Sequence, residues 1–470
     1  MTSRREFMGA MGAGLAAAGT SASAMACSTS QEALGPSESE ALLVSDRMHV
    51  EPAPVGLDRL PLAWHQAATR RLKERVADLD LTTVLLRTDQ NIVYFTGCFR
   101  GSGERSTWTV FPTDEDDTVY WYSPGIDRDL IESWWATENE YYFGYPHAEG
   151  AYPNRGQVKV GPPVDLFGWM LERARPKGFL GPRVGVDWTL SESERRTAAR
   201  LAPATEFVNI GGVCQAMQII KTPEELALTQ RAYRYFDRIH AFARDYILER
   251  GTDLTDFELG QALQAYGIGL LMNDIDYDGL PHSAVGIEVT SHYVRAGRAS
   301  ASPHPNQFFY AKVERGQTVY VNTDIKLGGL GGEAYRNYLI GPWTPEQERM
   351  WEVVAESIQI QEEESRAGAV CQEIARKIHQ HQVDAGMAEY IYHRPAHGQG
   401  QFFVGHQPPF IALGDESVLE ENMTFSMEPG LYDPSRGIGI NPSDNLRVTP
   451  ERGVRFSSIP FSKEWSFLEI

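Results

Sequence analysis

Apolar residues recur at helical spacing around residue 60, which predicts an amphipathic helix from Pro61 to about Asp78. Its apolar stripe consists of Leu60, Trp64, Ala67, Leu72 and Val76. Short runs rich in β-branched and aromatic residues follow, and each run predicts a strand. These runs span residues 81–87, 108–112, 118–122 and 184–187. The alternation of strands and helices predicts a small α/β domain over residues 57–210.

The second half of the chain opens with a helix-start signal. Thr222 is suited to the N-cap, Pro223 to the first helical position and Glu225 to a capping box. Apolar patterns predict further helices at 254–267, 344–366 and 370–386, and strands at 317–325 and 422–428. The glycine-rich run 328–332 predicts a tight hairpin turn. We therefore expect an α+β domain over residues 211–470.

Composition and charge narrow the class of protein. The 470 residues are enough for two domains and a leader, and 42% hydrophobic with 23% charged residues is typical of a globular protein. The formal net charge of -20 argues against nucleic acid or an anionic membrane as a partner, because both attract cationic surfaces. Three of the four cysteines, Cys98, Cys214 and Cys371, are widely spaced and are expected to be buried as small hydrophobic residues.

The N-terminus has the pattern of an export signal. Arg4 and Arg5 precede a Gly/Ala-rich apolar run that ends at Ala26, which predicts a twin-arginine signal peptide over residues 1–26. Cys27 follows at once and resembles the lipid-acceptor residue of bacterial lipoproteins, although its lipidation stays open. Residues 27–56 are predicted to be a disordered tether. We expect a periplasmic protein or a membrane-anchored lipoprotein.

Four segments, in the same order along the chain, resemble signatures of the creatinase and aminopeptidase P-like superfamily, which has the pita-bread fold. The segments are Asn91–Gly97, Lys221–Glu225, His397–Gly400 and Thr424–Tyr432. The resemblance covers roughly residues 60–460. It implies a creatinase-like N-terminal domain, a pita-bread catalytic domain and a homodimer.

Metal-dependent members of this superfamily hold two divalent ions with two Asp, one His and two Glu. The matching positions here are Asn322, Glu333, His397, Glu428 and Ser443. Only two of four carboxylates remain, and two cations in close proximity need several anionic ligands. We therefore expect no cofactor, or at most a single divalent metal held by Asp324, Glu333, His397 and Glu428. The segment Asn322–Asp324 also resembles that of the DMSP lyases of the same fold.

The resemblance to creatinase, which works without metal, suggests an alternative site. It places a catalytic His at His304 and a substrate-facing carboxylate at Glu428, and it assigns a substrate-binding role to Arg105. Creatinase's other catalytic Glu falls at Tyr335, so creatine is not the expected substrate. The full predicted set comprises the catalytic residues His304, Glu333, His397, His406 and Glu428 and the substrate-binding residues Arg105 and Arg336.

Three functional hypotheses follow from these residues. The first is an exported, metal-independent hydrolase that cleaves a C–N bond in a small polar substrate bearing a carboxylate. The second is a mononuclear-metal hydrolase or lyase, resembling Xaa-Pro dipeptidases or DMSP lyases. The third is a non-catalytic, solute-binding protein on the same scaffold. Metal content and variants of His304 and Asp324 would separate them.

Overall fold

The computed structural model describes residues 38–43, 58–100, 104–142, 164–275, 282–291, 294–304, 310–400 and 405–470. The predicted signal peptide and Cys27 lie outside the described residues. In the part of the chain that is described, no helix combines the length and the apolar character needed to cross a bilayer.

A short segment of the predicted tether is ordered, contrary to our expectation. Glu38–Leu42 form a 3-10 helix, and Ser39 is fully buried. The Ser39 backbone N–H donates to Asp245 at 3.3 Å, and Glu40 pairs with Arg238 at 3.4 Å. These side-chain partners come from a helix 200 residues away, which composition alone does not reveal.

The N-terminal part of the described chain is built on one mixed sheet. Its strands are β1 Thr83–Leu86, β2 Trp108–Pro112, β3 Tyr120–Pro124, β4 Glu138–Tyr142, β5 Arg183–Val186 and β6 Glu206–Asn209. Its helices are α1 Leu62–Arg75, α2 Asp89–Thr96, α3 Arg128–Glu132, α4 Leu166–Ala174, α5 Glu192–Leu201 and α6 Gly211–Ile219. The strand order is β4-β3-β2-β1-β5-β6, with β1 parallel to β5 and antiparallel to β2. The predicted α/β class is confirmed, whereas the exact domain limits stay a prediction.

The signature Asn91–Gly97 has a structural role in this part. Asn91 lies on α2 and donates to Asp187 at 2.8 Å, while Gln218 of α6 donates to Asn91 at 2.7 Å. Gly97 ends the helix with φ +74, and a Cβ there would meet the His65 ring at 2.5 Å. The motif therefore fixes a buried junction between β5, α2 and α6.

The C-terminal part combines antiparallel sheets with long helices. Its helices are α7 Pro223–Arg250, α8 Asp256–Asp274, α9 Pro345–Glu364, α10 Cys371–Asp384 and α11 Lys463–Ser466. Its strands are β7 Glu288–Thr290, β8 Arg295–Ala296, β9 Thr318–Leu327, β10 Leu330–Ile340, β11 Ala396–Gln399, β12 His406–Ile411, β13 Thr424–Met427, β14 Leu431–Asp433, β15 Ile438–Ile440, β16 Asp444–Val448, β17 Gly453–Arg455 and β18 Phe467–Leu468.

Two sheets of this part carry the site. One has the order β18-β10-β9-β7, with β8 also paired to β9, and the other has the order β12-β11-β13-β16-β17. Helix α7 packs on β9 and β10. The α+β class is confirmed, and Cys98, Cys214 and Cys371 are buried as expected.

Local sequence signals set the ends of these elements. The capping box at the start of α7 forms as predicted: the Thr222 N–H donates to the Glu225 carboxylate at 2.8 Å, and the Glu225 N–H donates to the Thr222 hydroxyl at 3.3 Å. The predicted hairpin turn joins β9 to β10 through Gly328 and Gly329, with φ of +53 and +75. Two successive positive φ values suit a type I′ turn, and glycine adopts them without steric strain.

Candidate functional site

The β9–β10 hairpin presents a row of polar side chains on one face. Side chains two residues apart on a strand share a face, and residues directly opposite each other on antiparallel strands point to the same side. The opposed pairs are Tyr320–Asn337, Asn322–Tyr335 and Asp324–Glu333. The hairpin therefore places several residues of the predicted site on a single polar surface.

His397 of β11 joins this surface to the second sheet. Its ring is almost completely buried, with Nε2 3.4 Å from Glu428 Oε1 and 3.7 Å from Glu333 Oε1. The Ser426 hydroxyl donates to Glu428 Oε1 at 3.1 Å. Three of the predicted catalytic residues therefore meet, with one imidazole between two carboxylates.

A hydrogen bond to the backbone fixes the position of the proton on the neutral His397 ring. Its Nδ1 lies 3.1 Å from the carbonyl oxygen of Gly398, which accepts a hydrogen bond, so Nδ1 carries a proton. Nε2 therefore gains a proton only when the ring is cationic. The negative charges of Glu428 and Glu333 favour that cation and outweigh the effect of burial, so the pKa of His397 is raised.

His406 of β12 stacks on His397, with ring centroids 3.8 Å apart. Arg394 Nη2 donates to His406 Nδ1 at 3.1 Å, so Nδ1 is the acceptor and Nε2 carries the proton of the neutral ring. Burial and the nearby charge of His397 lower the pKa of His406 to about 4. At neutral pH His406 is a neutral donor, and its Nε2 lies 3.8 Å from Glu333 Oε1.

The two carboxyl groups differ in their proton affinity. Burial, reinforced by the charge of Glu428, raises the pKa of Glu333 to about 7. Burial acts on Glu428 in the same direction, but the charge of His397 outweighs it and lowers the pKa of that carboxyl. Unequal carboxyl groups around one imidazole are the arrangement expected of an acid–base site.

A pair of metal ions does not fit this surface. Asn322 is neutral, and Ser443 is fully buried, with its hydroxyl accepting the Tyr335 N–H at 2.9 Å. Our prediction that Asp324 would bind a metal needs correction, because Lys326 lies 3.3 Å from its carboxylate and also pairs with Glu288. An ammonium group held at this position opposes a divalent cation there.

A single ion has a different set of donors available. Ligand atoms of Glu333, His397 and His406 all lie within 4.8 Å of one another. Two imidazoles and a carboxylate are a recognised ligand set for divalent metals. In the tautomer fixed by Arg394, however, His406 Nε2 carries a proton and offers no lone pair. Glu333 and His397 could therefore bind one ion. His406 could bind it through Nε2 only if the hydrogen bond from Arg394 to Nδ1 is broken and the proton moves to Nδ1.

The remaining predicted residues occupy diverse environments. His304 is exposed, and its charge contributes to the lowered pKa of His406, which places it near the cluster. Arg105 pairs with its neighbour Glu104 at 3.0 Å. The catalytic role of His304 and the binding role of Arg105 stay predictions.

Arg336 differs from its predicted role in substrate binding. It is 1% exposed, and its Nη2 donates to Asp444 Oδ2 at 2.9 Å and to the Ser457 hydroxyl at 2.9 Å. It lies on β10 next to Tyr335, so its side chain points to the opposite face of the strand. Its role is therefore structural.

Sequence reasoning missed several residues around the cluster. The Tyr335 hydroxyl donates to Glu333, Tyr320 packs 5.2 Å from the Tyr335 ring, and Arg394 orients His406. Alternation along β9 could have identified Tyr320 and Lys326, which lie two residues from Asn322 and Asp324. Arg394 carries no comparable local signal.

Comparisons with known proteins find similarity to dipeptidases and prolidases. A probable dipeptidase PepE of Mycobacterium bovis is 26% identical over 254 residues, covering 53% of this chain and 61% of that protein. A Xaa-Pro dipeptidase of Pyrococcus furiosus is 27% identical over 275 residues, covering 58% of this chain and 72% of that protein. The crystal structure of the prolidase from Pyrococcus horikoshii matches with a TM-score of 0.63 and 18% identity, over 83% of this chain and 98% of that chain.

The matches differ in how much of each protein they cover. The chain spans 61% of the length of the Mycobacterium bovis relative, and the structural match at 18% identity shows the fold alone. Residues 227–450, which contain the whole β9–β10 hairpin, His397, His406 and Glu428, match the model of metallopeptidase family M24. The chain therefore has the pita-bread fold of the creatinase and aminopeptidase P-like superfamily, and its residues 227–450 are similar to metallopeptidase family M24.

Proposed function

We propose that the protein hydrolyses a C–N bond in a small substrate that carries a carboxylate, without requiring a metal. The observation that supports this proposal is the buried cluster of Glu333, His397 and Glu428. Relatives named dipeptidase and Xaa-Pro dipeptidase support hydrolysis of an amide C–N bond and make dipeptides the first class to test.

Glu333 is the proposed proton-transfer group. A carboxyl group with a pKa near 7 accepts and returns a proton at neutral pH. In the proposed reaction a water oxygen attacks the carbonyl carbon while Glu333 takes the water proton. The C–N bond then breaks, and the proton on Glu333 passes to the departing nitrogen. His397, whose cationic form Glu428 favours, stabilises the negative charge that develops on the carbonyl oxygen. His304, at the edge of the cluster, is proposed as a second proton-transfer group.

The main alternative is a mononuclear-metal hydrolase or lyase. It is supported by the proximity of Glu333, His397 and His406, which replaces the predicted contribution of Asp324. Such an ion would supply Lewis-acid activation of the substrate carbonyl or of a water. The bond from Arg394 to His406 Nδ1 weighs against it, so the metal-independent proposal is preferred.

Chelation and one isosteric variant test the proposal. The full chain would be assayed on dipeptides and guanidino acids before and after exhaustive treatment with a chelator, with metal content measured in parallel. We expect activity to survive chelation. Glu333→Gln removes the proton-transfer group and should lower kcat by about 10²- to 10⁴-fold with little change in the unfolding midpoint. Glu373→Gln, on an exposed helix surface, is the matched control and should retain wild-type activity.

Each contrary outcome points to a named rival. Loss of activity on chelation, restored by one equivalent of zinc, iron or manganese, would favour the mononuclear-metal enzyme. Binding of these compounds with no turnover of any of them would favour the solute-binding protein. Full activity of Glu333→Gln would eliminate Glu333 as the proton carrier.

We also propose that the protein is exported by the twin-arginine route and works in the periplasm, free or anchored through Cys27. The supporting observation is the Arg4–Arg5 pair before the Gly/Ala-rich run. Replacing both arginines with lysine should leave the protein in the cytoplasm, as measured by cell fractionation. Normal export of that variant would exclude the route, and Cys27→Ala would report separately on the anchor.

A further inference from the structure

Arg295 is a buried cation that has no acidic partner among the residues described by the structure. Its side chain is 6% exposed, and its Nη1 donates to the carbonyl oxygens of Ser302 and Pro303. Its Nε is buried and makes no hydrogen bond with any residue that the structure describes. The chain has 63 Asp and Glu residues, yet none of the described ones forms an ion pair with Arg295. A buried charge without a counter-ion is strongly unfavourable, so this position suits an anionic ligand.

The position of Arg295 places it on the polar face of the candidate site. It lies on β8 directly opposite Tyr320 of β9, and its guanidinium stacks over the Tyr320 ring at 3.9 Å from the centroid. Tyr320 precedes Asn322 by two residues, a distance of about 7 Å along a strand, so the two side chains share a face. Arg295 therefore lies along the same row as Tyr335 and Glu333.

Tyr320 and Tyr432 are each influenced by the charges of both Arg295 and Glu428. Glu428 raises the pKa of both phenols, in addition to the effect of burial, while Arg295 lowers it. Arg295 and Glu428 therefore both lie near these two tyrosines. A substrate between them would meet a positive charge at one end and the proton-transfer group at the other.

We propose that Arg295 binds the carboxylate of the substrate, an inference that rests on the proposed function and assigns it a specificity residue. Nη1 is engaged by backbone carbonyls, and Nε lies on the other edge of the guanidinium, which can form the paired hydrogen bonds typical of arginine and carboxylate. Arg105, the residue predicted from the sequence for this role, already has Glu104 as a partner. The substrate class is then a dipeptide-sized amide with a free carboxylate.

Binding measurements without turnover test this assignment. In full-length protein carrying Glu333→Gln, calorimetry would compare glycyl-L-proline with its C-terminal amide, and creatine would serve as a second carboxylate. We expect glycyl-L-proline to bind about 10- to 100-fold more tightly than the amide, the usual effect of a hydrogen bond to a charged group. Adding Arg295→Gln should abolish this preference, Arg295→Lys should restore part of it, and Arg105→Gln should leave it unchanged.

The outcomes separate this inference from the proposed function. Equal binding of acid and amide, or no binding of any carboxylate by protein that retains Arg295, would overturn the role of Arg295 whatever the variants do. A folded Arg295→Gln protein that loses acid and amide alike would show that Arg295 only positions residues 302–304, which also overturns it. Absence of hydrolysis in the wild type would remove the proposed enzyme while leaving the binding preference intact.

Discussion

The two faces of β10 differ in how their buried charges are paired. Glu333 and Tyr335 point towards the candidate site, whereas Arg336 points towards α7 and its guanidinium lies 5.5 Å from the Phe236 ring. On the α7 side, Arg336 and Asp444 form a pair whose members are 1% and 0% exposed. On the site side, Glu333 and Glu428 share a single imidazole.

The α7 side is closely matched in charge. Asp444 accepts from Arg455 at 3.4 Å as well as from Arg336, and Arg455 also pairs with Glu362. Two buried arginines therefore face two carboxylates, and Arg336 also donates to the Ser457 hydroxyl and to the Ser443 carbonyl oxygen. The exposed Arg452 pairs with Glu362 as well. Buried ions of this kind persist because each one has a partner.

The site side is unmatched at both of its ends. Glu333 and Glu428 both lie beside the ring of His397, and Arg295 has no acidic partner among the described residues. A folded chain tolerates such an imbalance where a ligand or a proton completes the charges. The comparison suggests that matched buried charges maintain the pita-bread fold, while unmatched ones mark where it acts.

Breaking the matched face should have the largest effect. Arg336→Met leaves Asp444 buried with one cation fewer, so we expect a loss of about 3–5 kcal/mol in the free energy of unfolding, measured with urea. Arg70→Met removes an exposed pair, with Asp117, and should change stability by less than about 1 kcal/mol.

A double variant sharpens this test. Combining Arg336→Met with Asp444→Leu removes both charges and should recover a large part of the loss, because no uncompensated ion remains. A cost below about 1 kcal/mol for Arg336→Met alone would mean that the network is not structural, and the contrast between the two faces would disappear.

The sequence predicted those features that depend on neighbouring residues. The capping box at Thr222, the helices that follow it and the Gly328–Gly329 turn all result from contacts within a few residues. The strand β9 was predicted to within two residues of each end, since its apolar run is long. The family signatures also identified His397, Glu333 and Glu428, which the structure brings together.

Ion pairing across the chain could not be read from the sequence. Arg336 and Asp444 are 108 residues apart, and nothing local favours that acid over Glu333 as the partner. Lys326 lies two residues from Asp324, yet its pairing with that carboxylate depends on the strand conformation. Arg295 lies on a strand of only two residues, which is defined by its pairing with β9. Such a short strand has no alternation of apolar and polar residues from which it could be predicted.

A smaller effect on stability is expected from Asp237, an acidic residue next to the Arg336–Asp444 pair. Asp237 of α7 is buried, and both of its carboxyl oxygens accept the Ser458 N–H, at 3.0 and 2.9 Å. Burial raises its pKa to about 7, and the charge of Asp444 also raises it. The hydrogen bond from Ser458 and the charge of Arg336 lower the pKa but do not outweigh burial. Near pH 7 Asp237 therefore begins to lose its proton, which adds a third negative charge to those of Asp444 and Glu362.

The pH dependence of stability tests whether Asp237 stays neutral. Its pKa is about 3.9 in an unfolded chain and higher in the folded one, so the folded state binds the extra proton between about pH 4 and pH 7. The stabilisation from this proton is complete below pH 4 and is lost as the pH rises to 7.

Asp237→Asn keeps an oxygen for the Ser458 N–H and cannot lose a proton. Urea unfolding from pH 5 to pH 8 should show the wild type falling by about 2–3 kcal/mol relative to this variant, while exposed Asp78→Asn follows the wild type. Parallel curves for the wild type and Asp237→Asn would mean that Asp237 is charged throughout, and that the matched face carries more negative charge than its arginines balance.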